Sequence, residues 1–473
     1  MHKNSTAKIN LIITISLPWF LTQLLLEHPI MSFLIAFGGS FFIFYITILS
    51  PLRCIELDKS LTQQIMRPIV LLQLIFAGYM CCTSIFYFAD HLGFEFLSDK
   101  RYSHFIVNEE TYLLASCQRL VLLGHIALVM GLIAQLKTPH FQKYKISIPI
   151  TELLVKLTLG TMIFAFLINF TPALIQFKYY LLSVSTTGQA FILILGLANK
   201  KPLLILFGGL LFVINLLNAT VSGFKEILLI NLITISFLAY PYFKNIITIL
   251  FLPVLILLVY ILPTLTTIVR KESWTGNKSP QDARAEAYET FASGRQELLI
   301  TNNNWAFLTN RLSEIGMFSQ YIKNTPDHQP YYGLQILRNS LYALVPRALW
   351  SQKPVTEKTS MERVYRAGVA NRLSPVSAKT RTIIDGYLSA GLIGVFFTML
   401  IYGAIAQWLC NKAEKLFGGY ELGCMVIFNS IFQPLWRGNN WEFIINNMVY
   451  GFILMLLIFY ILKHLKIIKI QSL

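Results

Sequence analysis

The sequence predicts an all-α polytopic membrane protein with about 12 transmembrane helices, and three observations support this. Of its 473 residues, 55% are hydrophobic and only 13% are charged, whereas a soluble domain has about 25% charged residues. The apolar residues form blocks of about 20, the length of one span. Basic residues recur in alternate loops. These features exclude a soluble enzyme, a secreted disulfide scaffold, a disordered chain and an outer-membrane barrel, whose strands alternate in segments of about 10 residues.

Nine predicted spans precede a long polar loop and three follow it. They lie near residues 10–27, 29–50, 69–90, 111–135, 150–171, 181–199, 203–221, 226–243, 247–268, 383–409, 421–434 and 442–462. The chain is therefore expected to comprise an N-terminal bundle (1–268), a polar loop (269–381) and a C-terminal bundle (382–473). No small-residue cleavage site follows the first span, so we expect it to be retained.

The orientation follows from the basic residues of the short loops, which remain on the cytoplasmic side. One side carries Lys3, Lys8, Arg53, Lys59, Arg67, Lys137, Lys143, Lys145, Lys200, Lys201, Lys244, Lys412, Lys415, Lys463, Lys466 and Lys469. The other side is acidic, with Glu27, Asp90, Glu95, Asp99, Glu109 and Glu110 against Lys100 and Arg101. Both termini are therefore expected to be cytoplasmic, and the polar loop external.

The polar loop contains 16 Lys or Arg residues, 9 Asp or Glu residues, and ten of the chain's 15 arginines. Three helices are expected in it. The first starts at Ser279-Pro280 and runs to about Leu299. The second covers about 304–323, with Arg311 and Glu314 spaced as an ion pair. The third covers about 333–345, before Pro346. Its apolar face is expected either to pack on the bundle or to lie in the outer interface. This face is formed by Leu334, Leu337, Leu341 and Leu344.

A basic segment follows the third helix. Pro346 and Pro354 bracket Arg347, Trp350 and Lys353, and more cations come after them, including Arg363, Arg366, Arg372, Lys379 and Arg381. Arginine presents a planar fork that binds phosphate oxygens in pairs, which favours a site for a lipid diphosphate. A solvated basic surface that contacts anionic headgroups is the competing interpretation. Tryptophans near this face, such as Trp350 and Trp441, fit either an interfacial belt or a stacking platform for sugars.

Other candidate residues lie in spans and turns. Arg119 and His125 fall within the fourth span, where ionisable groups are functional candidates. Lys225 and Arg437 lie at two external turns, so one external site is expected to collect them with Arg347. The six cysteines sit in or beside spans, without disulfide or zinc spacing, and we expect them to pack as small apolar residues. No Walker motif is present, which argues against an ATP-driven pump.

The chain resembles the Wzy-type oligosaccharide repeat-unit polymerases, or O-antigen polymerases. The resemblance rests on about a dozen spans with one large loop late in the chain. It also rests on Arg311-Leu312-Ser313-Glu314 and on the run Leu344 to Pro354, which is similar to the family's Pro-Arg-x-x-Trp-x-x-Lys-Pro segment. Asp385-Gly386-Tyr387, with Gly391 and Gly394, is similar to the family's glycine-bearing helix after the loop. Gly223-Phe224-Lys225-Glu226 stands where members often have Gly-x-Arg.

The resemblance implies a metal-independent glycosyltransferase without a cofactor, in the bacterial inner membrane, with a periplasmic active site. Its fold would be similar to that of the lipid-dependent (GT-C-like) glycosyltransferases. It would move a growing glycan from undecaprenyl diphosphate to a new lipid-linked repeat unit, for lipopolysaccharide, capsule or exopolysaccharide. Arg347, Lys353, Arg437 and Lys225 would bind the diphosphate, with Arg311, Arg363 and Arg366 as further candidates. Glu314 and Asp385 would be catalytic with Arg347, and Trp350 and Trp441 would stack on sugars.

Three competing functions fit part of this pattern. An O-antigen ligase or another lipid-linked glycosyltransferase would share the site chemistry and differ in product length. A flippase for lipid-linked oligosaccharides would fit Arg119 and His125, but it would be expected to show two similar halves. A non-enzymatic scaffold is the third. The expected partners are an undecaprenyl-diphosphate-linked oligosaccharide, membrane lipids and a chain-length regulator, and no nucleic acid.

Overall fold

The computed structural model describes residues 2–53, 55, 58–94, 107–136, 143–171, 174–221, 225–257, 304–347, 349–373 and 378–471. The predicted loop helix from Ser279 to Leu299, Trp274 and the end of the ninth predicted span lie outside the described residues.

Helices account for most of the described chain. In order they are α1 His2–Leu24, α2 Pro29–Phe44, α3 Pro68–Ile75, α4 Ser84–His91, α5 Glu109–Gln135, α6 Ile150–Leu167, α7 Ile175–Ala198, α8 Pro202–Val221, α9 Lys225–Ala239, α10 Lys244–Leu257, α11 Ile315–Asn324, α12 Gln335–Leu344, α13 Thr356–Arg366, α14 Thr382–Leu416, α15 Tyr420–Trp436 and α16 Trp441–His464. Segments of π-helix extend α2 (Tyr45–Leu49), link α3 to α4 (Phe76–Cys82) and cover Leu308–Leu312. Short 3-10 turns cover Leu61–Gln64 and Ile168–Phe170. Strands β1 Tyr144–Ile146 and β2 Ile468–Ile470 pair antiparallel.

The structure is that of an all-α membrane protein. Within the described residues, seven helices are long and apolar enough to cross a membrane: Pro29–Leu49, Pro68–His91, Glu109–Gln135, Ile150–Phe170, Ile175–Ala198, Thr382–Leu416 and Trp441–His464. Four shorter apolar helices fall on the first, seventh, eighth and ninth predicted spans: Lys8–Leu24, Pro202–Leu217, Ile230–Ala239 and Lys244–Leu257. α15 covers the eleventh. The total of twelve stays a prediction, as do the domain boundaries.

α5 is the centre of the bundle and packs along α14. Two glycines make this contact possible. A Cβ atom on Gly131 would lie 2.1 Å from the Leu400 carbonyl oxygen, and one on Gly403 would lie 2.3 Å from that of Leu128. Small residues allow helix backbones to approach closely in membrane proteins, where packing contributes much of the association energy.

Loops with the same predicted orientation meet at the same end of the bundle. At one end, buried Arg67 bonds both carboxylate oxygens of Asp58, at 2.6 and 2.7 Å, and both of Glu414, at 2.9 and 2.8 Å. The guanidinium holds the pKa of Asp58 below its usual value. Strands β1 and β2 also join two of the basic loops. The other end, here called the loop end, carries α11 to α13 and the starts of α14 and α16.

α14 is interrupted near its start by a glycine that no other residue would replace without strain. Gly391 has φ +60° and ψ −138°, and a Cβ atom there would lie 3.0 Å from the Tyr331 hydroxyl. The carbonyls of Leu388 and Ser389, just before the break, accept hydrogen bonds from the backbone N–H groups of Tyr332 and Gly333. The break therefore attaches the segment before α12 to the side of α14.

The second predicted loop helix is wrong as a single helix. Residues 304–312 are helical and end in the π-helical segment, the chain opens at Ser313 and Glu314, and α11 starts at Ile315. This opening directs the Glu314 side chain toward Arg381, the residue before α14.

Candidate functional site

A buried cluster at the loop end joins the basic segment to two spans. Arg363 on α13 donates to both carboxylate oxygens of Glu442, at 2.6 and 2.8 Å. Its Nη2 atom also lies 3.2 Å from Asp385 Oδ1 and 3.3 Å from the Thr380 hydroxyl. Arg363, Asp385 and Glu442 are each 3% exposed or less. We call these three residues the Arg363 cluster.

The local sequence explains how this cluster forms. Asp385 lies in the first turn of α14 and Glu442 in the first turn of α16, where carboxylates are favoured by the helix dipole. Asp385 Oδ2 accepts the backbone N–H of Trp441 at 2.7 Å, and the side chain of Asn440 caps α16. The two helix starts thus place two carboxylates side by side, and Arg363 compensates both.

The charge of Arg363 is secured by its partners. Burial acts to lower the pKa of Arg363, but the carboxylates of Asp385 and Glu442 outweigh burial and raise the pKa above its ordinary value. The cluster is therefore a paired assembly rather than a free cation. Arg363 was predicted as a diphosphate ligand and Asp385 as a catalytic residue, and the structure brings the two together away from solvent.

A second acid–base pair lies on the other side of the α14 start. Glu314, just before α11, accepts a hydrogen bond from Arg381, the residue before α14. Arg381 is buried and its Nη1 atom lies 2.9 Å from Met80 Sδ. The pair borders a pocket whose lining includes Thr83, Ser84, Ser313, Phe318 and Met80. We call this the Glu314 pocket. The ion pair predicted between Glu314 and Arg311 is not the one described, because the Arg311 side chain lies outside the described residues.

Tyr321 of α11 lies between the two groups. It is fully buried, and burial together with the carboxylates of Asp385 and Glu314 raises the pKa of its hydroxyl. The phenol therefore stays neutral and able to donate. Tyr321, Arg381 and Glu442 were not among the residues assigned from the sequence. Arg381 and Glu442 stood in stretches that the sequence had singled out, whereas no pattern pointed to Tyr321.

Several donors at this end are buried without a hydrogen-bond partner among the described residues. They are the Tyr321 hydroxyl, Arg363 Nε, the Ser313 hydroxyl and Asn440 Nδ2. Buried polar groups in proteins are nearly always paired, so unfilled donors indicate ordered water or a polar ligand. These four donors lie around three carboxylates and two arginines. This group is the strongest candidate site in the described part of the chain, and we call it the loop-end site.

Exposed cations stand in the same basic segment as Arg363. Arg347 is exposed, and its Nη1 atom lies 3.4 Å from the Ser351 carbonyl oxygen, a long hydrogen bond. Arg366 and Arg372 both contact Glu362, and the hydrogen bond from Arg372, with that from Arg366, holds the pKa of Glu362 below its usual value. Surface pairs of this kind contribute little to stability, so these arginines remain available to a ligand.

Lys353 has a structural partner instead. Its ammonium donates to the carbonyls of Ala343 and Val345, at 3.0 and 2.8 Å, at the C-terminal end of α12. Burial, together with the nearby charge of Arg347, lowers the pKa of Lys353. These contacts account for Lys353 without a ligand, and its diphosphate role stays a prediction.

We expect Lys353→Met to lower the free energy of unfolding by about 1–3 kcal/mol, the cost of leaving a buried acceptor unpaired. The measurement is the unfolding temperature of the ligand-free protein in detergent. Lys358→Met on the exposed face of α13 is the control, with an expected change near zero. Equal unfolding temperatures for the two variants would contradict the capping role.

The two aromatic candidates differ in exposure. Trp350 is half-buried and packs edge-on against Tyr342, with ring centroids 5.4 Å apart, so part of the ring remains open. Trp441 is 7% exposed at the start of α16. Its ring packs in the core, which leaves it unsuited to sugar stacking in this arrangement.

The remaining external candidates are only partly described. The side chain of Lys225 lies outside the described residues. Arg437 is half-buried at the turn between α15 and α16. The expected meeting of Lys225, Arg347 and Arg437 at one site therefore stays a prediction.

The ionisable residues of the fourth predicted span lie inside the bundle. Arg119 donates to the Ser32 hydroxyl at 3.0 Å. His125 is fully buried, stacks near Phe76 at 4.9 Å, and has no hydrogen-bond partner among the described residues. No described contact connects His125 to the loop-end site.

Among the described residues, one group of metal-ligand type is found, and it lies at the opposite end of the bundle. Cys410, Glu414 and Cys424 place one ligand atom each within 4.8 Å of the others. Both oxygens of Glu414 already accept hydrogen bonds from Arg67. The carboxylate is thus committed to an arginine, and the three residues pack α14 against α15 rather than offering an open coordination site.

Comparison with known proteins gives a family but no activity. A family model described as "Domain of unknown function (DUF8712)" matches residues 17–470. No curated protein and no solved structure matches the chain.

Proposed function

The chain belongs to the DUF8712 family, and from its site we propose that it is a polysaccharide repeat-unit polymerase of the bacterial inner membrane. It transfers a growing glycan from undecaprenyl diphosphate to a new lipid-linked repeat unit at the periplasmic face. The observation that carries the proposal is the loop-end site. There, unfilled buried donors and carboxylates lie beside exposed arginines on a membrane-embedded bundle.

The exposed arginines suit the leaving group. Glycosyl transfer from a lipid diphosphate breaks the bond between the anomeric carbon and a diphosphate oxygen, which leaves with the electron pair. Fixed cations stabilise the charge that develops on that oxygen. Arg347 and Arg366 are exposed, and Arg372 lies beside Arg366 through Glu362. Their guanidinium groups bind phosphate oxygens in pairs.

Glu314 is the best-placed proton acceptor. The attacking sugar hydroxyl forms the new bond to the anomeric carbon and must lose its proton to a base. The side chain of Glu314 is 27% exposed and borders a pocket, whereas Asp385 and Glu442 are enclosed and shared with Arg363. Arg381 would orient the Glu314 carboxylate, and the Ser313 hydroxyl would contact the acceptor sugar.

The membrane location of the site also fits the proposal. The seven span-length helices support a membrane enzyme acting on a lipid-linked substrate. With cytoplasmic termini, the loop end faces the periplasm, where lipid-linked repeat units accumulate. A lipid-linked oligosaccharide and the surrounding membrane lipids are then its partners, with a chain-length regulator beside it. The same geometry would also serve a ligase that makes a single transfer.

Arg347→Ala is expected to abolish polymerisation, because the variant loses a cation that binds the leaving diphosphate. The purified protein in lipid nanodiscs is given one undecaprenyl-diphosphate-linked repeat unit, without nucleotide or metal, and products are read by gel and mass spectrometry. The wild type should yield a ladder spaced by one repeat unit. Arg347→Lys should also be impaired, since a point charge loses the paired geometry.

Lys358→Ala is the matched control, because Lys358 is also an exposed cation of the loop end, on α13. It should give the wild-type ladder. Normal chain lengths from Arg347→Ala would remove Arg347 from the site. A single added unit would identify a ligase, and movement of the lipid-linked unit between leaflets without a ladder would identify a transporter.

A further inference from the structure

The helix α12 presents large apolar residues outward rather than toward the bundle. Its buried face is Ile336, Ser340 and Ala343. Three of the four leucines that the sequence grouped as an apolar face are exposed, and so is Leu349 of the basic segment. Their exposed fractions range from 47 to 80%. We call these four exposed residues the leucine stripe: Leu334, Leu337, Leu341 and Leu349.

Both ends of α12 are attached to helices that are candidate spans. Gly333, before the helix, donates its backbone N–H to the carbonyl of Ser389, at the break in α14. The end of the helix bonds Asn446 and Tyr450, five and nine residues into α16. At 1.5 Å per residue the two levels on α16 are about 8 and 14 Å below its start. The end of α12 therefore packs on the side of α16 instead of projecting beyond its start.

This depth places the end of α12 at the level of the bilayer. α16 has 24 residues, a length of about 36 Å, and the hydrocarbon core is about 30 Å thick. Whether α16 extends beyond the hydrocarbon core at one end or at the other, positions about 8 to 14 Å below its start lie within the outer leaflet. The inference rests on α16 being a span and not on the proposed catalytic function.

The carbonyls at the end of α12 are satisfied without water. Ala343 accepts from Asn446 and Lys353, at 2.8 and 3.0 Å. Leu344 accepts from the Tyr450 hydroxyl at 2.8 Å, and Val345 from Lys353 at 2.8 Å. Helix ends in solvent usually leave such groups to water, whereas a helix end in a membrane needs partners from the protein.

The surroundings indicate what covers the leucine stripe. Exposed apolar residues continue onto the neighbouring spans, at Ile453 of α16 and Leu182 of α7. Arg338, exposed on α12, and Arg347, just after it, flank the stripe. Leucines that lie between arginines are typical of an interfacial helix on anionic lipid, because the long arginine side chains extend to the polar headgroups.

We propose that α12 and the turn after it lie in the outer leaflet, with the leucine stripe against acyl chains and Arg338 bound to the phosphate of an anionic phospholipid. This arrangement also accounts for the small residues Ser340 and Ala343 on the buried face of α12, which allow close packing on α16.

The test is the depth of spin labels on the full-length protein. Single labels are placed at Leu341→Cys and Leu349→Cys, with Lys358→Cys as control, in a background with Cys54→Ser and Cys82→Ser. The remaining cysteines Cys81, Cys117, Cys410 and Cys424 are buried. In nanodiscs containing phosphatidylglycerol, the accessibility to oxygen relative to a water-soluble nickel chelate should be several-fold higher at 341 and 349 than at 358.

Equal ratios at 341 and 358 would overturn the proposal, because the stripe would then face water. Low accessibility to both reagents at 341, with dipolar broadening between labels, would show that a second copy covers the stripe and would also overturn it. For the headgroup, native mass spectrometry should show Arg338→Gln retaining fewer phosphatidylglycerol molecules than Lys358→Gln. Equal retention, or loss of a polyprenyl-phosphate adduct instead, would reject the phospholipid assignment.

Discussion

Replacing Arg363 with alanine is expected to lower the free energy of unfolding by about 3–5 kcal/mol, the cost of removing one partner of a buried ion pair. The guanidinium is the shared partner of Glu442 and Asp385, both within 3.2 Å and both buried. Without it, two carboxylates stay in a low-dielectric environment next to each other, or must take up protons. The measurement is the unfolding temperature of the purified protein, followed by intrinsic fluorescence.

Arg366→Ala is the matched control for this prediction. Arg366 is three residues further along the same helix, but its side chain is 51% exposed and paired with Glu362 at the surface. Such a pair contributes about 0–1 kcal/mol. Arg363→Lys should fall between the two, because it keeps the charge and loses the paired hydrogen bonds. If Arg363→Ala unfolds no earlier than Arg366→Ala, the cluster does not hold the loop helices on the bundle.

Glu314→Gln is expected to slow polymerisation by about 10²–10⁴-fold, the usual contribution of a general base. The amide keeps the size of the side chain and still accepts a hydrogen bond from Arg381, so the fold should be retained. The rate is measured as the growth of the ladder in the nanodisc reaction. The unfolding temperature should fall by less than in Arg363→Ala, because Arg381 loses its counter-charge but keeps a hydrogen-bond acceptor at position 314.

Glu362→Gln tests whether the effect is specific to position 314. Glu362 is a carboxylate paired with arginines in the same basic segment, but it does not line the Glu314 pocket. Its polymerisation rate should match the wild type. A wild-type rate for Glu314→Gln would exclude Glu314 as the base and leave Asp385 as the remaining assigned carboxylate. Loss of activity in both would indicate that the net charge of the segment matters instead.

The fold class followed from composition because a bilayer permits few solutions. Apolar blocks of span length must form helices, since unpaired backbone groups are too costly in hydrocarbon. The grouping of loops was also readable, and residues assigned to one side, such as Lys145 and Lys469, pair in the structure. The polar loop was harder. Its helices are short, and an amphipathic pattern does not say which face meets the protein, so the face of α12 that packs on α16 is the one without the leucines.

The sequence by itself determined a helical membrane protein with a basic loop and marked the segment in which Arg347, Arg363 and Asp385 stand. Only the tertiary structure decided which of them meet. Arg363, Asp385 and Glu442 come from three helices, up to 79 residues apart, and Glu314 reaches Arg381 across 67 residues. Local periodicity carries no information about such long-range pairs. They arise because charges at helix starts cannot be buried alone, so packing selects the arrangement in which opposite charges compensate each other.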